Sequence, residues 1–190
     1  MCINFETSIA AFIIGEISGF ILSLSNNIYK KYTGLFIMFF TLVQLLEALV
    51  YKGYDYNGIL SKLLLINISL QGTLFFYLIN KVDPTAKIYL YICGIISTII
   101  ISRIFLTNFN KISINTCLRW NFLDNINTPL FKIMYFLLYL YAFTCKIFFI
   151  TIAALILLFA YMLSITFRLK HTPSMWCLTS AVISPLIIFL

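Results

Sequence analysis

Residues 84–107 read PTAKIYLYICGIISTIIISRIFLT. A helix that crosses the hydrocarbon core of a bilayer needs about 17 to 25 predominantly apolar residues, and this run supplies them. It opens with Asp83-Pro84. The aspartate side chain accepts a hydrogen bond from an amide that the first turn leaves unpaired, and proline at the first helical position has no amide to leave unpaired. Thr128-Pro129 and Thr172-Pro173 repeat the signature.

The same ruler, moved outward in both directions, predicts membrane helices over Ser8–Ser25, Leu35–Tyr51, Ile59–Asn80, Pro84–Thr107, Pro129–Cys145, Ile147–Phe167 and Pro173–Leu190. Polar turns separate the first four: Asn26-Asn27 with Lys30-Lys31, Lys52-Gly53 through Asn57-Gly58, and Lys81-Val82-Asp83. Residues 129–167 are broken only by Lys132 and Lys146. As one helix they would be roughly 58 Å long at 1.5 Å per residue, nearly twice the hydrocarbon thickness. Two spans with a tight turn near Thr144-Cys145-Lys146 fit that length better. The expected fold is therefore an all-α, polytopic transmembrane helix bundle of seven spans, with six as the alternative, forming one domain over residues 1–190.

Composition agrees. The chain has 190 residues, of which 62% are hydrophobic and 10% charged, with 19 Phe and 12 Tyr. A soluble domain is nearer half apolar and a quarter charged. The formal charge of +7, from 13 Lys and Arg against 6 acids, is scattered between apolar runs without a basic stripe. That distribution suits loops and anionic lipid headgroups and argues against nucleic acid as a partner. The partner that composition implies is the lipid bilayer, in a membrane that the sequence does not identify. Lys30-Lys31 in the first loop, with no Lys or Arg before it, point to an N-terminus facing away from the cytoplasm, whereas Lys111 and Arg119 in the 108–128 linker fall on the wrong side for the seven-span reading, so charge leaves the orientation open. The start Met1-Cys2-Ile3-Asn4-Phe5-Glu6 has no basic signal-peptide region, so the first apolar stretch is expected to be retained.

Several chemistries have no signature here. Five cysteines show no paired or metal-ligand spacing. The single histidine, His171, stands beside Arg168 and Lys170 in a loop, so no zinc site is expected. There is no P-loop, GxSxG or HExxH motif, no TVGYG filter, and no lysine in the last span for a retinal Schiff base. No cofactor is indicated, and no internal repeat supports an inverted-repeat transporter.

Polar groups inside predicted spans are costly and carry the functional question. Glu16 lies midway along the first span, within Gly15-Glu16-Ile17-Ser18-Gly19, a GxxxG spacing that admits a second helix. In the second span Gln44, Glu47 and Tyr51 share one helical stripe. The third carries Asn67 and Gln71 one turn apart, and Lys62 near its end, where it can snorkel, as can Arg103 in the fourth. The glycosylation sequon at Asn67 falls inside a span and is expected to be inaccessible. In the last span Trp176 is an interfacial anchor, and Pro185 loosens the helix.

Three separated segments carry a resemblance: Met1-Cys2 with Glu6 and Ser8, Gln44-Leu45-Leu46-Glu47-Ala48-Leu49-Val50-Tyr51, and Ser174-Met175-Trp176-Cys177 with Ser184-Pro185. In order and spacing the chain resembles an uncharacterised family of small multi-pass membrane proteins from bacteria, protists and large DNA viruses. Its members begin Met-Cys-(Phe/Trp)-Ser, carry Gln-x-x-Glu-(Gly/Ala)-x-x-Trp and end with Ser-x-Trp-Cys. Here Ile3-Asn4 replaces the aromatic-Ser pair and Tyr51 stands where that family has Trp. The resemblance implies architecture, without a reaction, and singles out Cys2, Gln44, Glu47 and Cys177. On the seven-span reading, Cys2, Glu47 and Cys177 gather near one membrane face.

The candidate polar intramembrane site is thus Glu16, Gln44, Glu47, Gln71, Cys2 and Cys177. Three functions compete. The first is a small transporter, channel or sensor with an inward polar path. The second is a membrane-embedded enzyme on lipid or thiol substrates, with Glu47 as acid/base and Cys2 or Cys177 as nucleophile. The third is a scaffold whose polar groups only hold helices together.

Overall fold

The computed structural model describes residues 4–106, 113–114, 118–119 and 127–144. Helix α1 spans Phe5–Ser23, α2 Ile28–Tyr51, α3 Ile59–Ile79, α4 Lys87–Leu106 and α5 Asn127–Thr144. Single turns of 3₁₀ helix, Tyr56–Gly58 and Pro84–Ala86, lead into α3 and α4. Between α4 and α5, β1 (Ser113–Ile114) and β2 (Leu118–Arg119) make a minimal antiparallel pair. Among the described residues, four helices are long and apolar enough to cross a membrane, namely α1, α2, and α3 and α4 with their leading turns, as an integral membrane protein requires. The fifth predicted span corresponds to α5, whose described residues, Asn127–Thr144, do not reach that measure. The sixth and seventh, Ile147–Phe167 and Pro173–Leu190, lie outside the described residues.

Three predicted starts are corrected. Helix α1 begins at Phe5 rather than Ser8, with the Asn4 side chain accepting from the Thr7 amide. Helix α2 begins at Ile28 rather than Leu35, because the Asn27 side chain accepts from the amides of Tyr29 (3.0 Å) and Lys30 (3.4 Å). Lys30 and Lys31 therefore belong to the first turn of α2 and not to the loop before it. Helix α5 begins at Asn127, so Thr128 falls inside it rather than before it. The Asp83-Pro84 start is observed: Asp83 accepts from the Thr85 amide at 2.9 Å.

Lipid as the outer solvent explains which side of α1 is buried. Its buried residues are Ser8, Ala11, Gly15, Ser18, Gly19 and Leu22, mostly small, whereas Ile13, Ile17 and Phe20 are about half exposed. A soluble helix turns its bulky apolar side inward; here small residues face the neighbouring helix, as membrane helix packing favours. The GxxxG spacing does bring a second helix close. A Cβ on Gly15 would collide with the Thr41 side chain, one on Gly19 would meet the Gly34 carbonyl at 2.8 Å, and one on Gly34 would collide with the Gly19 carbonyl. Lys52 lies over the Phe5 ring at 4.3 Å, so α1 and α2 run antiparallel in a tight hairpin.

Each following helix packs on its predecessor, and α5 rests against both α3 and α4. The α2–α3 turn places Asn57 (φ 52°) and Gly58 (φ 73°) in the left-handed region in succession, which asparagine and glycine tolerate best. Asp55 then caps α3, accepting from the amides of Leu60 (2.8 Å) and Ser61 (3.3 Å) and from the Ser61 hydroxyl. The shared core holds Phe40, Val43, Leu64, Leu65, Phe76, Ile100 and Met134.

Replacing Gly34 by alanine is expected to destabilise the protein by about 1–3 kcal/mol, because the new methyl meets backbone that cannot yield. Gly94 has nothing within 4 Å of its Cβ position, so Gly94→Ala should be neutral or stabilising by about 0.5–1 kcal/mol. Thermal unfolding of both variants in detergent checks the contrast.

Candidate functional site

The second helix supplies the most deeply placed polar pair. Gln44 and Glu47 are three residues apart, hence on one face, and both are fully buried. The Gln44 Nε2 donates to Glu47 Oε2 at 3.2 Å. Gln44 Oε1 is buried without a hydrogen-bond partner among the described residues. Tyr51, the third member of the predicted stripe, is half-buried at the end of α2. Helical spacing therefore positions the pair on one buried face of α2, a helix that packs against both α1 and α3.

On α3, Gln71 donates from Nε2 to Asn67 Oδ1 at 3.3 Å, and Asn67 donates from Nδ2 to the Phe39 carbonyl at 3.2 Å. Both residues are buried, so the sequon asparagine is inaccessible as expected. Its bond also ties α3 to α2. Glu16 sits elsewhere, half-buried on the α1–α2 seam, where it meets the Thr41 hydroxyl at 3.0 Å. Lys62 and Arg103 are half-buried near the ends of α3 and α4. Cys2 and Cys177 lie outside the described residues. Among the described residues no group of three or more His, Cys, Asp or Glu side chains could hold a metal ion.

Three partners escaped sequence reasoning. Thr41 is one; a lone threonine in an apolar helix carries no signal until its neighbour is known. Ser97 is another. Its hydroxyl donates to the Ser69 carbonyl at 2.5 Å and lies 2.8 Å from the Thr73 hydroxyl, which stitches α4 to α3. The third is Tyr141, buried among Phe75, Phe76 and Tyr89 with ring centroids 6.4, 5.3 and 5.3 Å away. Its hydroxyl donates to Asp83 Oδ2 at 2.6 Å, so a helix cap recognised in the sequence is also the anchor of α5.

That anchor has an electrostatic consequence. The Tyr141 hydroxyl stabilises the ionised carboxylate and holds Asp83 below its ordinary value; partial burial opposes it to a lesser extent, and the Thr85 hydroxyl and amide add smaller contributions on the side of Tyr141.

Set beside known proteins, the chain matches no family model, no curated protein and no solved structure.

Because the folded-state value for Asp83 is depressed, its contribution to stability is present above the unfolded carboxyl range near pH 4 and is lost as pH falls through the lower folded value. Tyr141→Phe is expected to cost on the order of 1 kcal/mol at neutral pH and to flatten this acid-limb dependence. Thermal unfolding of both proteins between neutral and strongly acidic pH measures the difference.

Proposed function

We propose that the chain is a multi-pass membrane protein of seven spans whose first three helices hold an inward polar site, and that it works as a small transporter, channel or sensor. The observation that carries this reading is the buried Gln44–Glu47 pair with its unpartnered amide oxygen. Buried polar atoms in native proteins are nearly always paired, and leaving one unpaired costs about 1–3 kcal/mol. An acceptor retained beside a carboxyl at that cost fits a site completed by a small polar ligand or a proton. The motif resemblance supports the architecture and gives Gln44 and Glu47 a common place in it.

A scaffold is the second reading, favoured by the cross-helix bonds of Asn67 and Ser97, whose partners are backbone carbonyls. Glu47→Gln in the full chain, reconstituted in liposomes, separates the possibilities. Loss of pH-dependent flux with unchanged thermal stability is the expected result. Unfolding with no flux in the parent protein would favour the scaffold. A covalent substrate adduct on Cys2 or Cys177, found by mass spectrometry, would favour the membrane-embedded enzyme.

A further inference from the structure

The Glu16 contact contains a hydrogen-counting problem. Thr41 Oγ1 lies 3.0 Å from the Ile37 carbonyl, 3.2 Å from the Met38 carbonyl and 3.0 Å from Glu16 Oε1. A threonine hydroxyl has one hydrogen to give. Helical threonines commonly spend it on the carbonyl three or four residues back. When Thr41 does so, its contact with Glu16 is a hydrogen bond only if the carboxyl supplies the proton. When the carboxyl is ionised, the hydroxyl has to rotate and donate to it instead. One side chain thus serves both protonation states without any movement of the helices.

The location fits a proton as the ligand. Glu16 stands well inside α1, next to the outward-facing Ile13, Ile17 and Phe20, while its neighbours Gly15 and Gly19 face α2. A carboxyl at the border between a helix seam and a hydrocarbon surface is reached by few polar ligands, and its charged form is costly there. We propose that Glu16 and Thr41 form a proton-binding site on the outer side of the α1–α2 hairpin, separate from the Gln44–Glu47 pair. Among the described residues helix α1 packs chiefly on α2. The titratable residues of α2 are Tyr29, Lys30, Lys31 and Tyr32 in its first turns, then Glu47 and Tyr51. Glu47 is the nearest of these to Thr41 along the helix, about 9 Å further on at 1.5 Å per residue. On α1 itself the other titratable side chain is Glu6, in the first turn. Among the described residues no cation on α1 or α2 stands at the level of Thr41, and its hydroxyl is the group in contact with the carboxyl.

This proposal does not rest on the transport reading, and its test uses no flux. The full chain in lipid vesicles is treated with dicyclohexylcarbodiimide, which partitions into hydrocarbon and reacts with protonated carboxyls. The carboxyl proton moves to one carbodiimide nitrogen and the carboxylate oxygen bonds to the central carbon. An oxygen-to-nitrogen acyl shift then leaves a stable N-acylurea, with the whole reagent added and nothing released. Peptide mass spectrometry is expected to find the adduct on Glu16, to lose it in Glu16→Gln, and to find it decreasing as pH is raised. A water-soluble carbodiimide should label Glu16 less. Thr41→Ser should leave the pH midpoint of labelling in place. Thr41→Val, which keeps the side-chain shape packed on Gly15, should move it by about one pH unit. Absence of the adduct on Glu16 at every pH, preferential labelling by the water-soluble reagent, or a midpoint unmoved in Thr41→Val would overturn the proposal. Should Thr41→Val fail to fold, the wild-type reagent preference and pH profile decide the matter alone.

Discussion

Hydrocarbon offers no hydrogen bonds, and most of the architecture follows from that lack. An amide or carbonyl left unpaired in lipid costs several kcal/mol, so each crossing segment has to close its own ladder as a helix. The described spans do so, and their ends use local side chains to complete the first turns: Asn4 accepts from Thr7, Asn27 from Tyr29 and Lys30, Asp55 from Leu60 and Ser61, and Asp83 from Thr85. Once the backbone is satisfied, the apolar driving force between helices largely vanishes, since lipid tails are as apolar as leucine. Close packing and a few hydrogen bonds are left to choose the neighbours. This is why the α1 side of the seam is built mostly from small residues, and why Ile13, Ile17 and Phe20 of that helix stand on the outside.

The polar side chains divide into two kinds under that constraint. Asn67, Ser97 and Ser18 give their hydrogens to main-chain carbonyls, at 3.2, 2.5 and 2.7 Å. Those bonds would serve any helix bundle, because a carbonyl is present at every residue. Gln44 meets Glu47, and Glu16 meets Thr41, whose hydroxyl also lies against the Ile37 and Met38 carbonyls. Side-chain partners are specific to sequence, and in an apolar setting each such pair is stable only when every lone pair and hydrogen is accounted for. In the first pair the Gln44 Oε1 is left without a partner among the described residues, and in the second the Thr41 hydroxyl has three oxygen neighbours for one hydrogen.

Much of this was legible from the chain alone, for identifiable reasons. Length and apolarity marked the first four spans because a bilayer imposes a length on whatever crosses it. The Asp83-Pro84 start was readable because its capping is local. Helical spacing foretold that Gln44 and Glu47 would share a face, and the GxxxG spacing foretold a close neighbour at Gly15 and Gly19. The start of α2 was misplaced because lysines at positions 30 and 31 look like loop residues, although Asn27 is the stronger signal. Partnerships across helices were not readable. Thr41 for Glu16, Ser97 for Ser69 and Tyr141 for Asp83 join residues 25, 28 and 58 positions apart. Such separations depend on the register and rotation of whole helices, which no local pattern encodes.

The clasp of Tyr141 on Asp83 bears on how the molecule is assembled. Helices α2, α3 and α4 each lean on the one made just before, so each hairpin can settle while the remainder of the chain is still being synthesised. The fifth breaks that order of dependence. Its buried tyrosine fits a box formed by Phe75 and Phe76 at the close of one helix and Tyr89 at the opening of the next, with the carboxylate acceptor on the turn between them. That receptacle exists only after both earlier helices have come together, so the docking of α5 reports that the preceding hairpin was correctly made.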